Sequence, residues 1–581
     1  MGTRQPVGES ALISHAKQTL KRVFTPPSHS LLPLVLLGCV IGVFAGLVMA
    51  CFISLLSMIL GWLNGSSLED FESLAWGWRL GLPILGSLLL ILLYRFTPAS
   101  AQTVGLAYVV ERLQFGRGRL PLANTAFQFV AALIALGSGH SVGREGPAVQ
   151  MGAGVGSWLG QRTHRPPSQL RLLVGCGTAA AISAAFNTPL AGVLFAMEVV
   201  LMEYSILGFA PIVASAVSAS AFSRILLGEH TVLTPTRLSL ADYGDIPSLL
   251  LTGLWLGLVA VIFLYMVRLF LRFPLKRRSY KLLLAGVITG VLALWVPEIL
   301  GSGYDTINLA LSDQLPWLLL AMILLAKLFA TAAAIGLGVP GGQIAPMLMV
   351  GVCAGGLAGT LVPGGSEPGL YALLGMAAMM AAVLHAPLAA IATVLELSLS
   401  AQAMFPAMTV VLTANLVCQH GFRQPSLILT LLKTQGRLMH SDPLRTALAQ
   451  RYLTELASLR FSTLDAAQPN EIAKVLSQPQ PWVVVDYLSH RYLLKRTVLE
   501  QAYELQQVTP VKDANLHWLT SLLTANRRLK ELSADASLLT ALKNLQQEDC
   551  AGFLLPVGYQ GVGLVTRRRL VRRLTSDERI H

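Results

Sequence analysis

From about residue 30 to 421 the chain alternates long apolar runs with short polar breaks, and the pattern changes after Leu432. The runs 31–63, 80–94, 249–271 and 315–337 are nearly free of charge, and most reach the roughly 20 residues a helix needs to cross a bilayer core. Others, such as 190–202, are shorter or cut by Gly and Pro. They read as broken or tilted helices, tolerated at membrane depth where they line a cavity or pack within protein. Beyond Leu444 the pattern is different: 481–486 (Pro-Trp-Val-Val-Val-Asp) predicts a buried strand, 490–495 its partner and 498–505 a helix. The segments 552–557 and 561–566 predict a second strand pair, and 567–574 a second helix. The expected organisation is a polar cytoplasmic lead-in at 1–29, an all-α polytopic membrane domain at 30–435 and a small cytoplasmic α/β domain at 436–581, in which helix-strand-strand-helix occurs twice.

Composition supports the membrane assignment. Of 581 residues 54% are hydrophobic and 13% charged, against about 25% charged in soluble domains. The first run is too long for a signal peptide, and no small-residue cleavage site follows a short apolar core. The net charge of +13 invites a nucleic-acid reading, but the basic residues are scattered. Arg4, Lys17, Lys21 and Arg22 precede the first run, Arg162, Arg165, Arg171 and Lys276 to Arg278 sit in short loops, and the rest lie near the C-terminus. No nucleic-acid partner is expected, and the two end groups fit cytoplasmic termini. Cys39, Cys51, Cys176, Cys353 and Cys418 lie in apolar stretches and Cys550 in the polar tail, with no CxxC pair. Neither a disulfide framework nor a metal site is expected, and no cofactor.

Within the apolar region a set of landmarks recurs. Gly137, Gly139, Gly143, Pro147, Gly152 and Gly156 return as Gly336, Gly338, Gly342, Pro346, Gly351 and Gly355, 199 residues later (336 − 137). Pro189-Leu190-Ala191, Glu198 and Gly177 return as Pro387-Leu388-Ala389, Glu396 and Gly375, 198 residues later (387 − 189). Register kept through two prolines and a glutamate is hard to obtain by chance, even in a chain rich in Gly, Ala and Leu. The repeat halves are about 30–230 and 246–435. Matching Gly and Pro interruptions in an apolar repeat point to a transport site at the repeat interface.

The stretch from Gly137 to Pro147 is Gly-rich and leads into an apolar helix, with Pro147 in the first turn where a missing N–H costs little. Free N–H groups and the positive helix end then face forward, an arrangement that binds anions. The spacing Gly-x-Gly-x-x-x-Gly is not the dinucleotide fingerprint. Gly336 to Pro346 supplies a second such start. Glu145 is an intramembrane carboxylate, a functional candidate by default: ionised, it occupies the place an anion wants, and protonated, it vacates it. The plainer alternative is a helix cap or a pair with Arg144. Glu198 and Glu396 carry no neighbouring mark of an ion path and read as internally satisfied or placed at helix ends. His140 and His385 read as polar packing residues, since neither has a second ligand at metal spacing. A membrane enzyme would need a metal cluster or an activated nucleophile beside the Gly-rich segments. The sequence offers neither, so no catalytic residue is assigned.

Gly143-Arg144-Glu145-Gly146-Pro147, Gly341-Gly342-Gln343-Ile344-Ala345-Pro346 and Phe186-Asn187-Thr188-Pro189-Leu190-Ala191-Gly192 resemble the CLC chloride channels and chloride/proton antiporters, over about residues 30–435. The resemblance implies two inverted-topology halves of tilted helices, in a homodimer with one pore per subunit. It implies a gating role for Glu145 and an anion path lined by backbone amides of Arg144, Glu145, Gly146, Gln343, Ile344 and Ala345. The family's Gly-Ser-Gly-Ile-Pro segment matches 103–107, so Val104 stands for the ion-coordinating serine, between Thr103 and Gly105. Ile344 replaces the usual phenylalanine, and Leu427 the late tyrosine. Both hydroxyl donors are thus missing, leaving the anion to backbone amides.

Antiporters of the family usually carry an inner proton-handling glutamate just after the position of Glu198; here it is Val199, similar to the bacterial ClcB-like branch. The tail resembles a degenerate pair of CBS modules. The positions of their ribose-binding aspartates hold Val498 and Arg569, so adenine-nucleotide recognition is not expected. Arg567, Arg568, Arg569, Arg572 and Arg573 offer instead a face for anionic lipid headgroups or acidic loops, or simply a solvated one. The reading is a dimeric anion pathway of a bacterial inner membrane, passing chloride or another small anion. A voltage- or pH-gated channel is expected first, with proton-coupled chloride antiport as the alternative and a membrane-anchored sensor as a further one.

Overall fold

A computed structural model of the protein describes residues 31–64, 70–228, 245–362, 367–398, 401–436, 452–465, 471–508, 517–524, 527–534, 536–547, 550–557 and 561–576. The lead-in 1–29 and the polar junction at 437–451 lie outside them, as does the side chain of Arg573. The chain divides into two compact units, Met1–Met439 and His440–His581.

The first unit is built of helices. Its first half contains α1 (Leu31–Asn64), α2 (Trp76–Phe96), α3 (Leu106–Gln114), α4 (Leu122–Gly137), α5 (Glu145–Arg162), α6 (Pro167–Phe186), α7 (Pro189–Phe195) and α8 (Ile206–Leu227). The second contains α9 (Ile246–Leu271), α10 (Arg278–Ala293), α11 (Tyr304–Leu311), α12 (Trp317–Leu337), α13 (Ile344–Thr360), α14 (Pro368–Leu384), α15 (Pro387–Ser398), α16 (Met404–Leu416) and α17 (Leu427–Thr434). Among the described residues six helices are long and apolar enough to cross a membrane: α1, α2, α6, α8, α9 and α12. The broken run at 190–202 is α7 followed by a π-helical turn, Ala196–Leu201, that ends on Met202 in the left-handed region (φ 53°).

Punctuation matches between the halves. The helices α6 and α7 both begin on prolines, as do their repeat counterparts α14 and α15, where the fixed φ suits a first turn. Asn187 and His385, 198 residues apart (385 − 187), end α6 and α14 in the left-handed conformation (φ 59° and 60°). The recurring glycines lie where helices cross closely. A Cβ on Gly152 of α5 would stand 2.0 Å from the Gly177 carbonyl oxygen of α6, and one on Gly351 of α13 would stand 2.3 Å from that of Gly375 in α14.

The second unit is α/β. Its six-stranded sheet runs in sequence order: β1 (Ser462–Asp465), β2 (Trp482–Tyr487), β3 (His490–Lys495), β4 (Arg528–Glu531), β5 (Gly552–Pro556) and β6 (Val562–Thr566). β1 is parallel to β2 and β4 to β5, whereas β2–β3, β3–β4 and β5–β6 are antiparallel. Each module is therefore strand, helix, hairpin, helix, using α18 (Ile472–Leu476) and α19 (Arg496–Val508) in one, and α21 (Leu538–Gln547) and α22 (Arg567–Ser576) in the other, with α20 (His517–Leu522) between them. The predicted hairpins and closing helices are found within a few residues of their expected bounds. The sequence reading missed β1 and β4, which open each module. Val483 and Val485 pack in one cluster and Val484 in another shared with Leu529, Leu554 and Leu564, because successive strand residues point to opposite faces. Both faces are covered, hence the unbroken Val-Val-Val.

Gly152→Ala is expected to lower stability by about 1–3 kcal/mol, since the added carbon meets backbone that must move. Gly61→Ala, whose added carbon meets nothing within 4 Å, is expected to be neutral or to raise stability by up to about 1 kcal/mol. Thermal unfolding of both variants in detergent checks this, and a harmless Gly152→Ala would remove the close-crossing account.

Candidate functional site

The starts of α5 and α13 meet at equivalent residues of the repeat. Gly143 N–H donates to the Gly342 carbonyl at 2.8 Å, and Gly342 N–H donates back to the Gly143 carbonyl at 2.6 Å. A reciprocal antiparallel pair has local two-fold symmetry. Formed by repeat-equivalent residues, it marks the axis relating the two inverted halves. Only glycine fits: a Cβ on Gly342 would lie 2.5 Å from the Gly143 oxygen, and one on Gly146 would lie 2.8 Å from Gly342 Cα.

Glu145, the first residue of α5, is fully buried. Its Oε2 accepts the N–H of Ala345, in the first turn of α13, at 3.1 Å, and its Oε1 accepts the hydroxyl of Tyr304. A Cβ on Gly143 would stand 2.1 Å from that Oε2, so the glycine makes room for the carboxylate. First-turn N–H groups have no partner inside their own helix, and here those of Glu145, Gly146, Ile344 and Ala345 belong to two positive helix ends brought together. The carboxylate sits where a small anion would be held. Arg144 does not pair with it: its guanidinium lies 4.8 Å from the Tyr304 ring centroid and its Nη2 donates to the Ala185 carbonyl at 3.4 Å. Thus Arg144, Glu145, Gly146, Gln343, Ile344 and Ala345 gather around one point.

Thr103, Val104, Gly105 and Leu427 lie apart from that point. Thr103 is exposed, Val104 half-buried and Leu427 fully buried at the start of α17, which packs against α3. Gly105 (φ 98°) donates its N–H to Gln150 Oε1 at 2.5 Å, while Gln150 Nε2 donates to the Asn124 carbonyl at 3.0 Å. Asn124 Nδ2 in turn donates to the Thr103 carbonyl at 3.0 Å. Gln150, one turn beyond Glu145 on α5, thus ties this loop to the helix that bears the carboxylate.

The remaining candidates are structural neighbours. Glu198 accepts the N–H groups of Leu388 (3.3 Å) and Ala389 (2.8 Å) at the start of α15, and Glu396 accepts those of Leu190 and Ala191 (2.8 Å each) at the start of α7. Each half caps a helix of the other. Val199, next to Glu198, is buried and apolar. His140 is buried with Nε2 3.3 Å from Ser87 Oγ. Among the described residues no group of His, Cys, Asp and Glu is placed to hold a metal.

Two residues escaped the sequence reading. Tyr304 opens α11, a helix with no apolar run to announce it. Lys327, the single charge in the run 315–337, was open to notice, since a lone intramembrane cation calls for an explanation. It is fully buried and donates to the carbonyls of Ile299 and Gly301 at 2.9 Å each, fixing the loop that leads into Tyr304. Gly301 N–H also donates to the Gly139 carbonyl at 3.2 Å. Nearby, outside the spanning helices, burial and the carboxylates of Asp305, Glu298 and Asp70 push Glu72 up to about 7, opposed by Arg79.

The sequence profile of the family described as "Voltage gated chloride channel" matches residues 85–419. A putative ClcB-like chloride channel protein of Ralstonia nicotianae is 33% identical over 402 residues, covering 66% of this chain and 93% of the relative. An H(+)/Cl(-) exchange transporter ClcA of Vibrio cholerae is 29% identical over 447 residues, covering 73% and 94%. Among solved structures, a slow cyanobacterial Cl-/H+ antiporter shares the fold with a TM-score of 0.61 at 23% identity, covering 72% of this chain and all of that one.

Unfolded, the Glu72 carboxyl titrates near 4.5, and folded it holds its proton up to about 7. The stability this group contributes is therefore full below pH 4.5 and is lost as the pH rises through about 7. Glu72→Gln is expected to flatten that part of the stability profile, measured as thermal midpoint against pH in detergent. An unchanged slope would mean that Glu72 is not the titrating group.

Proposed function

Because the chain belongs to the voltage-gated chloride channel family, we propose that it carries chloride across a bacterial inner membrane in exchange for protons, with Glu145 as the group both ions use. The observation that carries this reading is the Glu145 carboxylate lodged on the N–H of Ala345 between two helix starts. Ionised, it fills the anion's place and blocks passage. Protonated, it loses the charge that the helix ends attract and gives way, and an anion takes the freed amides. A group that must bind a proton before chloride can enter links the two movements.

The inward proton route lacks a second carboxylate. Glu198 is committed to the start of α15, and Val199 offers no proton acceptor. A cavity of about 30 Å³ beside Ile344, lined by Phe186, Phe195, Leu348, Met380 and Thr393 among others, has room for a water molecule. Its walls are apolar, so water enters transiently and proton delivery through it is slow. Passive conduction is the second reading, favoured by Val199 itself. With Val104 and Leu427 in place of hydroxyl donors, the anion is held by backbone amides. We further propose a homodimer with both termini cytoplasmic, and a C-terminal unit that is a degenerate CBS pair without nucleotide binding. A purely sensory role for that unit would leave the buried carboxylate without a purpose.

Full-length protein reconstituted in liposomes under a chloride gradient is expected to show a reversal potential that moves when a proton gradient is imposed, and Glu145→Gln is expected to abolish that movement while anion flux persists. A reversal potential fixed at the chloride value would establish a passive channel and give Val199 as the reason. Absence of flux from both the wild type and Glu145→Ala would overturn the transport reading.

A further inference from the structure

We propose that Tyr304 is the positioning residue that latches Glu145 in the anion's place, and so sets the external pH at which the pathway opens. The inference rests on the gate reading above. The Tyr304 hydroxyl donates to Glu145 Oε1, opposite the Ala345 N–H that holds Oε2. Each carboxylate oxygen is thus held by one donor, one from a backbone that cannot leave and one from a side chain that can. A phenol donates to the charged carboxylate more strongly than to the neutral acid, so the bond favours the closed, ionised state. Protonation weakens this bond and frees the side chain.

The mount of the latch is rigid. The Tyr304 ring packs edge-on to Phe186, centroids 6.0 Å apart, and carries the Arg144 guanidinium on its other contact at 4.8 Å. The loop before it is fixed by buried Lys327 through the carbonyls of Ile299 and Gly301, and to the first Gly-rich segment through Gly139. A hydroxyl on so fixed a ring is presented to Glu145 without the entropy cost of ordering a free side chain. The charged groups around the pair are Arg144 on the ring, Asp305 next along α11, Lys327 behind Gly303, and Glu72, Glu298 and Asp70 beside Asp305. Tyr304→Phe leaves all of them in place and keeps the ring contacts.

The test is chloride flux from liposomes against external pH, for full-length wild type, Tyr304→Phe, Glu145→Gln and the double variant. Tyr304→Phe is expected to move the midpoint of flux upward by about 1 pH unit, a tenfold change in proton affinity. In the Glu145→Gln background the same substitution is expected to change nothing. Site-specific 3-fluorotyrosine at 304, a stronger donor of nearly the same size, is expected to move the midpoint down, and this arm decides should the Phe variant not fold. A pH midpoint that ignores both changes, while Glu145→Gln abolishes pH dependence, would overturn the latch and leave the gate standing. Wild-type pH dependence in Glu145→Gln would overturn the gate, and the latch with it.

Discussion

Two backbone hydrogen bonds between Gly143 and Gly342 hold the centre of the membrane unit, and most of its chemistry follows from them. They join equivalent points of the two halves, so whatever one half brings to the axis the other brings as well. What they bring are helix starts. Each carries about half a positive charge on N–H groups its own helix cannot use. Two such ends held together repel and leave donors unsatisfied unless something negative lies between them. Glu145 supplies that charge from within the chain. A passing anion is the other way to supply it, and the fold is therefore built so that one of the two is present.

The same two-fold logic acts a second time, through side chains. Glu198 and Glu396 each cross to the opposite half and satisfy the first turn of a short helix begun by proline. Proline removes one of the N–H groups that would need a partner, and the glutamate takes two of those that remain. Charge-assisted bonds of this kind contribute about 1.5–3 kcal/mol each. A proton placed on Glu198 would weaken both at once. The glutamate nearest the inner end of the site is thus poorly suited to relay protons, for a reason independent of what stands at Val199.

Glycine and proline made the repeat legible, because each is demanded by backbone geometry that few other residues tolerate. Gly152 and Gly177 recur as Gly351 and Gly375 since a Cβ would strike a carbonyl in both crossings. The hairpins of the second unit were legible for a similar reason: a Val-Val-Val run buried on both faces reads as little else. What escaped was set by distant partners. β1 and β4 are four residues long, and β4, Arg-Leu-Lys-Glu, gains strand character only from its pairing with β3 and β5. Tyr304 is 159 residues from Glu145, and nothing beside it marks a donor. The sequence identified the carboxylate and the second helix start, while the residue that completes the carboxylate's coordination came from the fold.

Channel and exchanger differ on this scaffold by kinetics more than by architecture. Both need a carboxylate that leaves the anion's place when neutral, and the site around Glu145 meets that need. An exchanger also needs protons to reach Glu145 from the side opposite to the one that opens to chloride. Here that side offers an apolar cavity wide enough for water and no titrating group committed to the task. Water in such walls has few partners and a short residence, so a proton arrives through rare hydration rather than along a standing chain. Slow proton delivery with a gate that must be protonated to open gives slow exchange. If the gate opened without the proton, the same geometry would give leak. The strength with which Glu145 is held closed then decides between the two outcomes, which makes the donors on its two oxygens, Ala345 and Tyr304, the residues on which the distinction turns.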